Sequence, residues 1–198
     1  GRVRFNPADG YLYLTTGDTH NGMVPQSPTM MGSKVIRIDT DGTPAAENTP
    51  PVGFDKRTYT YGHRNVQGLV YHTASGQLIA HEHGPKGGDE LNVIESGKNY
   101  GWPIATHGKD YTGASISPFT EYPGTVKPLL NWTPSIAPSG FAVYYGEQFK
   151  ELSGHFLVGA LVNREVRLVV MQEQQVIDQI ALFAELKSRI RDVRVGQD

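Results

Sequence analysis

Three stretches of this 198-residue chain bring together side chains able to do chemistry. The densest is His81-Glu82-His83-Gly84-Pro85-Lys86-Gly87-Gly88-Asp89-Glu90. A His-x-His pair on a strand puts both imidazoles on one face, as a zinc site needs, but no third ligand is evident. Calcium prefers carboxylate and backbone carbonyl oxygens, and Asp89, Glu90 and a glycine-rich loop suit it better. A plain polar loop between strands is the competing reading. In the second stretch, residues 61–68, Arg64 and Asn65 stand side by side. Arg grips a carboxylate through its fork and Asn through its amide, although a turn with a solvated Arg has the same sequence. In the third, Ser188-Arg189-Ile190-Arg191-Asp192, strand alternation would put Arg189 and Arg191 on one face. Two guanidiniums there repel unless they share an anion or pair locally with Glu185 or Asp192. Two arginine sites and an acidic, glycine-rich loop together suit an anionic cofactor bridged by a divalent cation.

The elements that must position these residues read as short strands. The chain has 23 Gly, 13 Pro and 10 Tyr, well above the roughly 12% average for Gly and Pro together. Strand signals bounded by turn residues fall at 11–16, 34–39, 58–61, 68–72, 77–81, 90–95, 141–145, 155–161, 165–171 and 176–182. Only 146–152 and 182–187 hint at a helical turn. Many short strands with regular turns indicate a sandwich, barrel or propeller. An internal repeat selects the propeller: Phe5-Asn6-Pro7-Ala8-Asp9-Gly10-Tyr11-Leu12-Tyr13 matches Tyr71-His72-Thr73-Ala74-Ser75-Gly76-Gln77-Leu78-Ile79. The spacing exceeds the usual roughly 40–50 residues per blade, and long loops at 19–31 and 40–56 account for the excess. A third copy is expected to begin at 193–198. The reading is an all-β chain, 1–198 forming a single partial propeller domain of about three to four blades, with both ends cut mid-blade.

A net charge of -2 offers no basic surface for nucleic acid. No apolar run reaches the roughly 18 residues of a membrane span. The opening Gly1-Arg2-Val3-Arg4 is not a signal peptide, so any leader would lie upstream. The chain has no cysteine, which excludes disulfides and thiolate chemistry.

Three motifs, Tyr61-Gly62-His63-Arg64-Asn65-Val66-Gln67-Gly68, Glu82 through Asn92, and Gly97-Lys98-Asn99-Tyr100-Gly101-Trp102-Pro103, resemble the signature of soluble quinoprotein glucose and aldose sugar dehydrogenases. Residues 32–42 and 132–139 also look like family segments. The resemblance implies a six-bladed β-propeller that binds pyrroloquinoline quinone (PQQ) and Ca2+ and oxidises aldoses at the anomeric carbon to lactones. It implies that Arg64 and Asn65 contact the quinone and that Arg64 stabilises charge on it. Gly84 and Pro85 would offer carbonyls to the calcium beside the quinone, and Glu90 and Tyr100 would belong to a second calcium site. Arg189 and Arg191 would grip the cofactor, and Trp132 would form a wall for the sugar. A small-molecule aldose, an external electron acceptor and a periplasmic or secreted location follow from the same resemblance.

Departures from the family pattern are also expected. The catalytic base of the family, a His, falls upstream of Gly1. The family Lys after Gly-Ala-Leu is Val162 here, with Arg164 as its candidate substitute. A sugar-contacting Gln falls near Thr19. Two other functions compete: a non-catalytic binding propeller like the hedgehog-interacting proteins, and a calcium-dependent lactonase. The first of these is normally rich in cysteine, and the second leaves the paired arginines unexplained.

Overall fold

The computed structural model describes residues 1–196. Twelve strands form three four-stranded antiparallel sheets. The first holds β1 (Val3–Asn6), β2 (Tyr11–Thr15), β3 (Lys34–Ile38) and β4 (Thr58–Tyr61) in chain order. The second holds β5 (Val66–His72), β6 (Gln77–Glu82), β7 (Asp89–Ile94) and β8 (Leu130–Trp132). The third holds β9 (Pro138–Val143), β10 (Phe156–Ala160), β11 (Glu165–Gln172) and β12 (Gln175–Leu182). These are the blade-like units expected from the turn spacing. The two helical hints shorten to single 3-10 turns at Lys150–Leu152 and Ala184–Leu186.

The internal repeat is the same hairpin built twice. Asn6 pairs with Tyr11, and His72 pairs with Gln77 at the equivalent position. Gly10 donates its amide to the Asn6 carbonyl and Gly76 donates to that of His72, each at 2.9 Å. Both glycines have positive φ, 78° and 70°, which side chains rarely adopt. The third copy is not seen as a hairpin: 193–196 belong to no strand, and Gln197 and Asp198 lie outside the described residues.

Two apolar cores lie between neighbouring sheets. One joins Tyr13 and Val35 to Val66, Leu69, Leu78 and Ala80. The other joins Val70, Ile79 and Leu91 to Phe141, Phe156 and Val158. The middle sheet is therefore buried on both faces. Period-2 alternation explains how one strand serves both: Leu78 and Ala80 face the first core, and Ile79 faces the second.

Every connection from an even strand to the next odd one emerges at the same end of the sheets, because antiparallel strands alternate direction. That end gathers residues 16–33, 62–65, 83–88, 133–137 and 161–164. The long β7–β8 connection starts from the opposite end. It climbs beside β4 through a parallel bridge between Tyr61 and Asn99, and reaches the same rim where Lys109 bridges Lys86. Among the described residues, no helix is long and apolar enough to cross a membrane.

Candidate active site

Arg64 is the centre of this rim. It lies in the connection between β4 and β5, and its guanidinium is drawn inward rather than solvated: the residue is 8% exposed. Nη1 donates to the Gly84 carbonyl at 2.6 Å, and Nη2 lies 3.4 Å from the Tyr111 hydroxyl. The guanidinium carbon sits 5.5 Å from the Trp102 ring centroid, a cation–π distance. Nε is buried without a partner. A buried donor left unpaired costs roughly 1–3 kcal/mol, so a position aimed at an acceptor is the economical reading of it.

Beneath Arg64 lies a knot of buried polar groups. Glu82, 4% exposed, accepts from the Arg64 amide (2.6 Å), from His63 Nδ1 (2.8 Å) and from Asn92 Nδ2 (3.4 Å). Thr60 Oγ1 lies 2.8 Å from His63 Nε2, and the His63 ring stacks on Tyr100 at 4.4 Å. Asn92 Nδ2 also reaches Glu90 (3.1 Å). Burial and the Glu82 carboxylate beside it push the Glu90 carboxyl well above the usual range, against the opposing Asn92 hydrogen bond. Glu82, Glu90, Tyr100, Gly84 and Arg64 share one small enclosed cavity.

Two open clefts meet at Pro85 and Tyr111, and Arg64 lines the smaller of them. The first, about 430 Å³, is bordered by Asp18, His20, Arg64, Trp102, Pro85 and Tyr111. The second, about 850 Å³, runs from Pro85 and Tyr111 past Thr133, Pro134 and Val162. Loop 16–33 delivers Asp18, whose Oδ2 accepts from Trp102 Nε1 at 2.9 Å. A fully buried lysine holds that loop: Lys34 Nζ donates to the carbonyls of Val24, Pro25 and Gly32 at 2.9–3.0 Å.

The residues singled out from sequence divide into two groups. Arg64, Gly84, Pro85, Glu90 and Tyr100 come together around these cavities. The Tyr100 hydroxyl is turned away, donating to the Val93 carbonyl (2.5 Å) and accepting from Glu95 N–H (2.9 Å), so only its backbone oxygen could serve a cation. Asn65 lines neither cleft, and its Oδ1 accepts from Gln67 at 2.8 Å. Arg164 is exposed in the β10–β11 turn with φ 58°. Arg189 and Arg191 lie on an extended segment outside any strand, which corrects the strand expected there. Ile190 between them anchors the segment, its carbonyl accepting from Ser139 Oγ at 2.6 Å. Both arginines are exposed, and neither pairs with Glu185 or Asp192; Asp192 binds Arg194 instead.

Trp132 does not form an open wall, and that expectation is corrected. It is 5% exposed, packs in the core between the second and third sheets, and donates Nε1 to Gln179 at 2.6 Å. Its pairing, from β8, with Asp89 on β7 fixes the ring inward. The aromatic surfaces of the clefts are instead Trp102 and Tyr111, the latter 64% exposed. The His-x-His reading also dissolves. His81 is fully buried against Phe141, and burial lowers its pKa to about 3, so the ring is neutral. His83 donates to the Pro138 carbonyl at 2.6 Å. Among the described residues, no group of three or more His, Cys, Asp or Glu could hold a metal, so a cation here would lean on carbonyls, one or two carboxylates and water.

Comparison with known proteins places this geometry. The family model described as Glucose / Sorbosone dehydrogenase matches residues 1–198. The chain is 34% identical to the aldose sugar dehydrogenase of Escherichia coli, over all of its own length and 54% of that protein. It superposes with a TM-score of 0.95 on a crystal structure of glucose dehydrogenase, at 34% identity, covering 99% of this chain and 57% of that one. It also matches the PQQ-bound aldose sugar dehydrogenase of Streptomyces coelicolor at a TM-score of 0.77 and 31% identity, covering 97% of this chain and 51% of that one. The chain thus spans about half the length of these relatives.

Proposed function

The chain belongs to the Glucose / Sorbosone dehydrogenase family, and we propose that its rim is the cofactor cradle of a PQQ-dependent enzyme that oxidises aldoses at the anomeric carbon to lactones. The observation that carries this reading is the buried Arg64 guanidinium, with an unpartnered Nε, in the wall of the smaller cleft and in contact with Gly84 and Tyr111 of the larger one. An anionic, flat ligand satisfies such a group; water does so at the cost of burying a charge. The residues fit the two groups the family uses. Arg64 and, from the exposed segment, Arg189 and Arg191 would hold the quinone's negative charge. The carbonyls of Gly84 and Pro85 would serve the calcium beside it. Glu90 and the Tyr100 carbonyl would serve a second cation, which would offset the burial and the Glu82 repulsion that together raise Glu90. Bound there, PQQ supplies the two-electron acceptor and Ca2+ a Lewis acid.

The chain's own residues then bind and orient. Arg64, fixed by the Gly84 carbonyl and the Glu82 knot, places positive charge where negative charge develops on the acceptor. Trp102 and Tyr111 offer apolar faces against which a sugar ring can pack and from which water is excluded. Oxidation at the anomeric carbon would need the bound quinone to take a hydride and a base to take the hydroxyl proton, and that base is not assigned to any of the seven histidines here. Complete turnover is proposed for the full-length protein, with a dye or external acceptor removing the electrons and a periplasmic or secreted location.

The test is PQQ binding to the full-length protein, followed by quinone absorbance. Arg64→Ala is expected to weaken it about 10- to 100-fold. Unchanged affinity removes Arg64 from the cradle.

A further inference from the structure

Lys86 and Lys109 face each other across an isolated antiparallel bridge, each amide donating to the other's carbonyl at 2.9 and 3.1 Å. Residues so paired stand about 5.5 Å apart at Cα with side chains on one face. Like charges directly opposite are unfavourable. The local backbone is nevertheless built to bring these two together. A Cβ on Gly88 would lie 2.5 Å from the Gly108 nitrogen, and one on Gly108 would lie 2.5 Å from the Gly87 carbonyl oxygen. Only glycine permits that approach.

Both lysines are solvent-exposed, and neither ammonium has an ion-pair partner among the described residues. Among the described residues the lysine ion pairs are Lys127–Glu121 and Lys150–Glu147, and both are elsewhere. Lys86 and Lys109 line the larger cleft beside Gly84 and Pro85, whose walls carry no Asp or Glu. The adjacent acids are engaged. Asp89 accepts from Gly84 N–H (2.9 Å), Ser135 Oγ (2.6 Å) and Ala137 N–H (2.9 Å). Asp110 accepts from the amide and hydroxyl of Thr112. The β10–β11 turn contributes Val162 to this cleft, an apolar residue 62% exposed, and so adds no cation.

We propose that Lys86 and Lys109 form an anion subsite that takes a carboxylate or phosphate of a small ligand held in this cleft. The inference rests on the reading of the cleft as a ligand site given above. Two sources share the chemistry: a carboxylate of the cofactor itself, or an acid group on the sugar, as in a uronate. In either case the lysines supply, from the 83–88 loop and the β7–β8 connection, the charge that Val162 does not.

The experiment uses the full-length protein and the variant Lys86→Gln/Lys109→Gln, with Lys86→Arg/Lys109→Arg as the charge-preserving control. Citrate binding to quinone-free protein, measured by calorimetry, is expected to weaken about 25-fold in the Gln variant, roughly fivefold per lysine, and to persist in the Arg variant. Equal citrate affinity in wild type and Gln variant, or no citrate binding by wild type, overturns the subsite. Two further arms assign the source. A matching fall in PQQ affinity points to the cofactor. A fall in the ratio of kcat/KM for glucuronate over glucose, at saturating PQQ, points to an acidic sugar. If the protein binds PQQ and neither moves, the pair is not a ligand subsite. Wild-type protein that discriminates citrate but fails to bind PQQ overturns the cofactor reading of the rim and leaves the lysine subsite standing.

Discussion

Arg64 and the Arg189–Arg191 pair were both marked by sequence as anion grips, yet the fold treats them in opposite ways. Arg64 is enclosed, its backbone held by Glu82 and its side chain held by the Gly84 carbonyl and the Trp102 face. Arg189 and Arg191 hang from an extended segment anchored through Ile190, exposed and without a partner among the described residues. The first is preorganised: its conformational entropy is lost on folding and binding need not repay it. The second keeps its rotamer freedom, roughly 2 kcal/mol per arginine, until a ligand arrives. On the proposed reading, the cofactor site would combine a fixed grip with an adjustable one.

The sharpest way to break the fixed side is Glu82→Ala. It strands the His63 ring and the Arg64 amide in a buried space, and is expected to destabilise the protein by about 3 kcal/mol in urea unfolding. If Glu82 is a merely local bond, the loss falls below about 1 kcal/mol and the contrast with the exposed segment collapses. Next comes pH. Glu90 is raised in the folded state above its unfolded value, so its stabilising protonated form is present at low pH and is lost as pH rises past the ordinary carboxylate range. Stability is expected to fall there by up to about 1.4 kcal/mol per pH unit. Glu90→Gln flattens that slope. Added Ca2+ should raise Tm more at high pH than at low pH if a cation is what relieves the pair; an equal shift at both removes Glu90 from any metal role.

The strands were legible because alternation and turn residues signal them locally, and β4 falls at the expected residues 58–61. β8 was missed: at three residues, Leu130–Trp132, it is too short to alternate visibly, and missing it left Trp132 free to be read as a wall. Lys34 opens a strand, but three carbonyls of the loop that leads into it, those of Val24, Pro25 and Gly32, take up its ammonium, a contact with no signal in the strand's own pattern. The same limit hid Trp102, Tyr111 and Lys109. All three ride on the aperiodic β7–β8 connection, whose path to the rim depends on bridges to Tyr61 and Lys86 rather than on its own pattern. That Arg64, Gly84, Pro85 and Glu90 would lie near one another was legible because they fall in or beside the β4–β5 and β6–β7 connections, which emerge at the same end of the sheets.

The smallest effect on stability should come from the adjustable side. Arg189→Ala/Arg191→Ala removes no described ion pair, so unfolding free energy is expected to stay within about 0.5 kcal/mol of wild type. Ligand binding separates the two grips more finely. Long, exposed guanidiniums act through screened charge, so their loss should weaken PQQ binding mainly at low ionic strength, and the deficit should shrink as salt screens the wild-type advantage. The deficit of Arg64→Ala should persist at high salt, because a buried contact is screened much less. Matching salt dependence for the two variants would mean that Arg189 and Arg191 close down onto the ligand and become as buried as Arg64.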